Sequence, residues 1–265
     1  MNDSVLYDVE GGVATLTFNR PKVLNALDGA MREGLGQALD RLEGERGLRV
    51  VVLRGAGAGF MAGGNIKYFT EITPLPPEER RLRFEGFIHE VHPTIIRLQR
   101  FPVPVIASVH GPVAGVGMSF LMSADLAIAA EDAIFTLAYI HLGTSPDGGS
   151  SFFLPRTVGM KRAMEIALLG ERFDAKTAQG WGLVNWVVPA ADLAERTAAL
   201  AKRLAGGPAR AYASTKRLLT RSIGSSLEAQ LQAEAEGFSG CTSSEDFVEG
   251  VNAFIAKRPP RFQGT

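Results

Sequence analysis

Two glycine-rich loops, each directly after a predicted β-strand, are the first places in the chain where residue type and spacing suggest chemistry. They are 60–67 (FMAGGNIK) and 110–119 (HGPVAGVGMS). Glycine lacks Cβ, so these loops can expose backbone N–H groups to a ligand. Val116 opens a predicted helix, and its N–H could face a developing oxyanion. Alone, each loop is as typical of a mobile surface loop or a tight turn, and neither has the spacing of a phosphate-binding or dinucleotide fingerprint.

The composition predicts a folded globular protein without an excess of basic residues. The chain has 265 residues, of which 46% are apolar, and 28 Lys and Arg balance 28 Asp and Glu. We therefore expect neither nucleic acid nor an anionic membrane as a partner. Cys241 is the single cysteine, so no internal disulfide and no clustered structural zinc site is expected. The lack of a signal-like start and of a long apolar run predicts a cytoplasmic location, with an organelle left open if a transit peptide was removed.

Apolar periodicity predicts an α/β protein, because strands alternate with helices over most of the chain. A β-hairpin is predicted around Gly11 and Gly12, and a helix capped by Asp28 follows it. Pro93 should kink or end the helix in which it lies. The predicted strands are 5–9, 13–18, 48–53, 103–109, 126–130 and 133–137, and helices are predicted from Asp28 through Leu42 and at 77–99, 116–123 and 160–169.

Beyond Pro189 the pattern becomes entirely helical. The predicted helices are 192–204, 208–221, 227–238 and 245–256. This change places a boundary between a region 1–190 and a region 191–265. Ser243 to Asp246 fits a capping box ahead of the last helix. Apolar residues on these helices would need a symmetric interface to be buried; they are Leu218, Leu219, Leu227, Leu231 and Phe247.

Both loops, taken in order with three further segments, resemble the crotonase superfamily of enoyl-CoA hydratases and isomerases. The further segments are 20–27 (RPKVLNAL), 142–149 (LGTSPDGG) and 254–259 (FIAKRP). Each is weakly informative by itself, whereas the ordered set is specific and covers nearly the whole chain. The resemblance implies an α/β fold of the crotonase type, a ββα spiral with a C-terminal all-helical trimerisation region, assembled as a homotrimer or a dimer of trimers.

By this resemblance, the N–H groups of Gly64 and Val116 would form an oxyanion hole around a thioester carbonyl. Two fixed donors stabilise the enolate more than the substrate, which is what accelerates its formation. In the family's hydratases two glutamates act as the acid and base, and Ser119 and Tyr139 stand at those positions. A hydroxyl or a phenol with a pKa of about 10 is a poor base at neutral pH, which disfavours hydration by two carboxylates.

Asp147 stands where a subgroup of the family's isomerases keeps one acidic residue. One carboxylate suffices for a 1,3-proton shift, and burial would raise its pKa towards working pH. The alternative is an Asx-turn aspartate with only local hydrogen bonds. The same position resembles the nucleophilic aspartate of aryl-CoA dehalogenases. His92 then falls at their histidine base and Tyr139 at their halide-contacting tryptophan, although His92 also reads as an ordinary residue near a helix end.

The resemblance also implies a site for the CoA part of the substrate and no other cofactor. The adenine would lie against Lys22, Val23 and Leu24 and around Ala62, Asn65 and Ile66. Lys67, near Gly64, could bind the 3′-phosphate of the nucleotide. Phe254 and Lys257 of a neighbouring subunit would approach the nucleotide end. Each lysine would otherwise be a solvated surface charge. Phe69, Phe84, Phe87 and Tyr139 are candidates for an aromatic wall of the acyl pocket.

The predicted function is an enoyl-CoA isomerase that moves a double bond through Asp147, without a metal. Three alternatives stay open. They are an enoyl-CoA hydratase with an atypical water site, an aryl-CoA dehalogenase or thioester hydrolase with Asp147 as the nucleophile, and a non-catalytic CoA-binding protein.

Overall fold

A computed structural model describes residues 2–264. Its main sheet has six strands in the order β1-β2-β3-β4-β6-β9. The predicted hairpin is present: β1 (Val5–Glu10) pairs antiparallel with β2 (Val13–Phe18). Gly11 and Gly12 connect them with φ of 55° and 79°, values that glycine adopts without strain. The other strand pairs of this sheet are parallel.

The remaining strands alternate with helices, and a smaller sheet has the order β5-β7-β8. The strands are β3 (Val50–Gly55), β4 (Val105–Val109), β5 (Pro112–Ala114), β6 (Leu126–Ala130), β7 (Ile134–Thr136), β8 (Phe173–Asp174) and β9 (Trp186–Val188). The helices are α1 (Gly29–Gly44), α2 (Ile66–Ile72), α3 (Pro77–Arg100), α4 (Val116–Ser123), α5 (Ser150–Val158), α6 (Met160–Leu169), α7 (Ala175–Gly180), α8 (Leu193–Ala205), α9 (Ala209–Ser222), α10 (Leu227–Thr242) and α11 (Glu245–Ile255). The sequence analysis did not predict α2, α5 and α7. Among residues 2–264, no helix is both long and apolar enough to cross a lipid bilayer.

The start of α1 confirms the predicted cap. The Asp28 carboxylate accepts hydrogen bonds from the N–H groups of Ala30 (3.1 Å) and Met31 (3.2 Å), which satisfies two first-turn donors. One face of α1 is buried, as its apolar spacing predicts, and Leu35 and Leu39 lie fully within the core.

Pro93 was predicted to kink or end its helix, and it does not end it, because α3 runs through it to Arg100. Proline removes the hydrogen bond to the carbonyl four residues earlier. Burial of Val91, Ile95 and Leu98 against the core holds the helix together across this position.

The predicted capping box at Ser243 to Asp246 is also wrong. The N-cap is Ser244, whose Oγ accepts the Phe247 N–H at 3.2 Å. Asp246 is buried and instead accepts the N–H groups of Gln263 (2.6 Å) and Gly264 (2.8 Å). A tertiary contact with the returning C-terminal segment therefore replaces the local one.

The four C-terminal helices are present, but they pack differently from one another. Ala201 of α8 lies in a buried cluster with Val50, Val52 and Ile106 of the main sheet. In contrast, α9 and α10 pack mainly on each other. Large apolar side chains on these helices and on α11 are exposed, including Leu219, Leu227, Leu231, Phe238 and Phe254. The domain boundary and the trimer stay predictions.

Candidate active site

The first glycine-rich loop hydrogen-bonds the segment just before α1 along one side, and the Gly64 N–H lies on the opposite side of the loop. Leu27 donates its N–H to the Gly63 carbonyl at 2.8 Å, and Asn65 donates to the Leu27 carbonyl at 2.9 Å. These two bonds bracket Gly64 as a parallel bridge. Because alternate residues of an extended chain present their amides to opposite sides, the Gly64 N–H is directed away from Leu27.

The second loop adjoins the first and ends at α4. Met61 donates to the Pro112 carbonyl at 3.1 Å and accepts from the Ala114 N–H at 2.9 Å. Gly115 precedes the helix with φ of 51° and ψ of −122°, a conformation that favours glycine. Val116 is then the first residue of α4 and presents its N–H at the positive end of the helix dipole.

Gly64 and Val116 line one cavity of about 1100 Å³. Within residues 2–264, neither N–H donates to a protein acceptor. A Cβ built on Gly64 would lie 2.7 Å from Cζ of Phe69, which shows how tightly the loop fits beneath the aromatic wall. Two unpaired donors at one apolar cavity are the arrangement that stabilises a developing oxyanion.

Asp147 lies in the turn before α5 and lines the same cavity. Its Oδ1 accepts a hydrogen bond from the Tyr139 hydroxyl. Burial raises the pKa of the Asp147 carboxyl above its usual range, although the Tyr139 hydrogen bond and the nearby His92 act to lower it. Burial and the Asp147 charge raise the pKa of Tyr139 well above its ordinary value, so Tyr139 is a neutral donor. The structure thus brings Asp147, Tyr139 and His92 together with the two amides.

Ser119 is fully buried behind the Asp147 turn and is not among the residues that line the cavity. Its Oγ hydrogen-bonds the Ser150 Oγ at 2.7 Å and donates to the Asp147 carbonyl at 3.3 Å. Of the two positions that the resemblance associates with hydratase glutamates, one is therefore sealed from the cavity and the other holds a phenol.

Some of the residues predicted to bind CoA lie at the cavity and others lie apart from it. Ala62 and Ile66 line the cavity beside Gly64, and the Ala62 N–H donates to the Leu24 carbonyl at 3.0 Å. Leu24 follows the exposed 3-10 turn Pro21–Val23, which brings Lys22 and Val23 near the rim of the cavity at Ala62. Lys67 is exposed at the start of α2.

Asn65 does not line the cavity. It caps α2 by accepting the Lys67 N–H at 3.1 Å, and its Nδ2 donates to Asp28 at 2.9 Å. Phe254 and Lys257 lie at the end of α11, where Phe254 is 86% exposed and borders a different groove. Within one chain, neither of these two residues lines the cavity.

Phe69, Phe84 and Phe87, which were predicted to form an aromatic wall, all line the cavity. Phe69 and Phe84 meet edge to face, with ring centroids 5.0 Å apart. Arg80 and Arg81, which the sequence analysis missed, also line the cavity, and Arg80 donates to the Thr73 carbonyl at 2.9 Å. The sequence did contain a signal for them, namely two adjacent arginines near the start of a predicted helix.

Comparisons with known proteins extend over nearly the whole chain. The model of the family described as enoyl-CoA hydratase/isomerase matches residues 8–265. A "probable enoyl-CoA hydratase" of Rhodobacter capsulatus is 38% identical, over 98% of each chain. A 1,2-epoxyphenylacetyl-CoA isomerase of Escherichia coli is 36% identical, over 100% of each chain. A solved enoyl-CoA hydratase of Polaromonas sp. superposes with a TM-score of 0.91 at 33% identity, covering 98% of this chain and 99% of that one.

Proposed function

Because the chain belongs to the enoyl-CoA hydratase/isomerase family, we propose that it is an acyl-CoA isomerase that moves a carbon–carbon double bond by proton transfer through Asp147. One observation carries this proposal. Among residues 2–264, Asp147 is the only acidic residue that lines the cavity shared by the Gly64 and Val116 amides.

The thioester carbonyl would lie between the Gly64 and Val116 N–H groups. Removal of a neighbouring C–H proton forms an enolate whose charge rests on that oxygen. Each donor of this kind contributes roughly 10²- to 10³-fold to the rate. Apolar walls formed by the aromatic residues of α2 and α3 would keep the site poorly hydrated, which strengthens both hydrogen bonds.

Asp147 would take a proton from one carbon of the acyl group and return it to another. In the first step a C–H bond breaks, an O–H bond forms on the carboxylate, and the electron pair moves onto the thioester oxygen. In the second step the electron pair returns from the thioester oxygen and the double bond moves, while the O–H bond of Asp147 breaks and a C–H bond forms at the carbon two positions along. No water is consumed, so a single carboxylate with a raised pKa is sufficient.

Hydration is less well supported by the site. A hydratase must activate water as well as move a proton to carbon, and the two additional positions hold a sealed serine and a neutral phenol. Asp147 would then have to perform both tasks.

The second candidate is covalent catalysis, as in a dehalogenase or a thioester hydrolase. It is favoured by His92, which lines the cavity and acts electrostatically on Asp147. In a dehalogenase, Asp147 would attack the halogen-bearing ring carbon, halide would leave as an aryl ester forms, and a water activated by His92 would cleave that ester. In a thioester hydrolase, Asp147 would attack the thioester carbonyl carbon, CoA thiolate would leave, and water would cleave the resulting anhydride.

We propose further that the CoA nucleotide lies along the rim near Lys22, Val23, Leu24 and Ala62. Asn65, Ile66 and Lys67 would continue that surface. Phe254 and Lys257 would come from a neighbouring subunit in a homotrimer, which would also cover exposed apolar residues of α9, α10 and α11.

Asp147→Asn tests the proposal, because asparagine keeps the shape and removes the base. We expect wild type to exchange substrate α-protons with deuterated water and to convert 3-enoyl-CoA into 2-enoyl-CoA. The variant should lose about 10²- to 10⁴-fold of both activities. Asp8→Asn, an exposed change on β1, is the matched control.

Four results would count against the isomerase. The first is undiminished exchange in Asp147→Asn. The second is a hydroxyacyl product as the main outcome, which would favour hydration. The third is a covalent adduct on Asp147 in the mass spectrum of the quenched enzyme, which would favour the nucleophilic candidate. An Asp147→Asn variant and a wild type that both bind acyl-CoA without turnover would indicate a non-catalytic protein.

A further inference from the structure

We propose that Tyr139 is a positioning residue that assigns the two oxygens of Asp147 to different tasks. Its hydroxyl occupies Oδ1 and thereby leaves Oδ2 as the oxygen that takes and returns the substrate proton. The proposal rests on the isomerase function proposed above.

The backbone around Tyr139 is held at both ends. Ala138 precedes it with φ of 57°, an uncommon value for a residue with a side chain. The Tyr139 N–H donates to the Leu137 carbonyl at 2.8 Å, and the Tyr139 carbonyl accepts the Thr144 N–H at 3.2 Å. The backbone that carries the phenol is therefore held by hydrogen bonds within its own turn.

The ring of Tyr139 also lies close to the second glycine-rich loop. A Cβ built on Gly115 would be 4.0 Å from Cζ of Tyr139, the carbon that bears the hydroxyl. The tyrosine therefore lies close to the residue that precedes Val116 and hydrogen-bonds Asp147, so its hydroxyl can hold the carboxylate relative to the proposed oxyanion hole.

Asp147 is fixed from the opposite side by its backbone. Its carbonyl accepts the Ser150 N–H at 3.0 Å and the Ser119 hydroxyl at 3.3 Å. On the side chain, Oδ1 accepts the Tyr139 hydroxyl, whereas no donor within residues 2–264 binds Oδ2. One oxygen of the carboxylate is thus engaged and the other stays available in the cavity.

The groups that face Asp147 predict a pH signature. Tyr139 and His92 of α3 both lower the Asp147 pKa, against the larger effect of burial. The turn that carries Asp147 packs against α4 and α5, which place the uncharged hydroxyls of Ser119 and Ser150 beside it. His141, the other histidine of the cavity, pairs with the Gly170 carbonyl at 3.0 Å. Within residues 2–264, the remaining charged groups that line the cavity are Arg80 and Arg81, in the first turns of α3.

Tyr139→Phe removes the hydroxyl and keeps the ring. Without this donor the Asp147 pKa should rise further, so the acidic limb of the kcat/KM profile should move to higher pH by about one unit. Below that limb, kcat/KM should fall about tenfold, because the carboxylate form is correspondingly rarer. The loss should be in kcat, with KM little changed. Tyr7→Phe is the matched control: it also removes a phenol–carboxylate hydrogen bond, to Glu45 at 3.2 Å on the remote β1, and should leave the profile unchanged.

Two noncanonical residues at position 139 separate donation from shape. 4-Aminophenylalanine keeps a donor at the para position and should restore the wild-type limb. 4-Methylphenylalanine fills the same space without a donor, should behave as Tyr139→Phe does, and replaces that variant if it fails to fold. A limb that stays in place in both donorless variants would overturn the positioning role, even if their Tm or kcat is lower.

Asp147→Asn separates failure of this proposal from failure of the proposed function. If Asp147→Asn abolishes α-proton exchange while the donorless variants keep the wild-type limb, only the role of Tyr139 falls. If Asp147→Asn retains exchange, the isomerase proposal falls first and the role of Tyr139 falls with it.

Discussion

Replacing Val116 with proline tests the proposed oxyanion hole by removing one N–H while leaving α4 intact. Val116 is the first helical residue, where proline is well tolerated because that N–H has no intrahelical acceptor. Gly115 before it, at φ 51° and ψ −122°, is outside the α region that a following proline disfavours, and it has no Cβ for the proline ring to meet.

The expected loss follows from the single donor. An oxyanion donor is worth roughly 10²- to 10³-fold in kcat, or about 2.7–4 kcal/mol of transition-state stabilisation. The proline Cδ also occupies the space of the lost hydrogen, so KM should rise as well and kcat/KM should fall by at least about 10²-fold. Val116 is only 5% exposed, and the lost packing of its side chain should cost about 1 kcal/mol of folding free energy.

Steady-state kinetics on 3-enoyl-CoA and α-proton exchange provide the assay, and thermal unfolding monitors the fold. Glu245→Pro is the matched control: it places proline at the first position of α11, after Ser244 with ψ of 150°. Val116→Ala, which keeps the N–H, should lose much less activity than Val116→Pro. If Val116→Pro retained kcat/KM within a few-fold of wild type, the amide could not be stabilising an enolate and the reasoning from the second loop would be wrong.

Three further predictions concern stability and its dependence on pH. Asp147→Asn should raise Tm at pH 7 by a few degrees. The folded Asp147 pKa exceeds its unfolded value of about 3.9, so the wild type loses stability as pH rises through the folded pKa. The difference in Tm between variant and wild type should therefore vanish below about pH 3.9. Asp28→Ala should cost about 1 kcal/mol in urea unfolding through the lost N-cap, and it should lower kcat because it releases Asn65 beside Gly64. Glu249→Gln should speed amide hydrogen exchange in residues 257–264. In the wild type the Arg258 hydrogen bond lowers the Glu249 pKa to about 2. The stabilisation that Glu249 gives this segment should therefore be complete above about pH 4.3 and lost as pH falls towards about 2.

Features that depend on neighbouring residues were predictable from the sequence. The hairpin follows from two glycines that accept positive φ, and the start of α1 follows from an aspartate one residue before the helix. The existence of both loops followed in the same way, because in each segment several glycines come after a predicted strand. The resemblance added which of their amides to pair.

Features decided by contacts between distant segments could not be predicted. Asp246 fits a local cap in sequence, yet it holds the returning C-terminal residues, which a pattern of four residues cannot show. The predicted helix 77–99 already spans Pro93, but whether the proline would end it depends on tertiary burial, which overrides propensity here. The hydrogen bond from Tyr139 to Asp147 spans eight residues of irregular turn, for which no periodicity exists.

The parallel pairing of strands explains why two loops far apart in sequence meet at one cavity. β3 and β4 are parallel neighbours, so their carboxyl ends lie at the same edge of the sheet, and each glycine-rich loop follows one of them. Asp147 arrives by a separate route: it follows β7, which pairs in parallel with β5, the short strand that leads to Val116. The Gly64 loop therefore follows a strand of the main sheet, whereas β5, which leads to Val116, and β7, which precedes Asp147, both belong to the smaller sheet. It follows that the distance between the Val116 amide and the Asp147 carboxylate depends on the β5–β7 register.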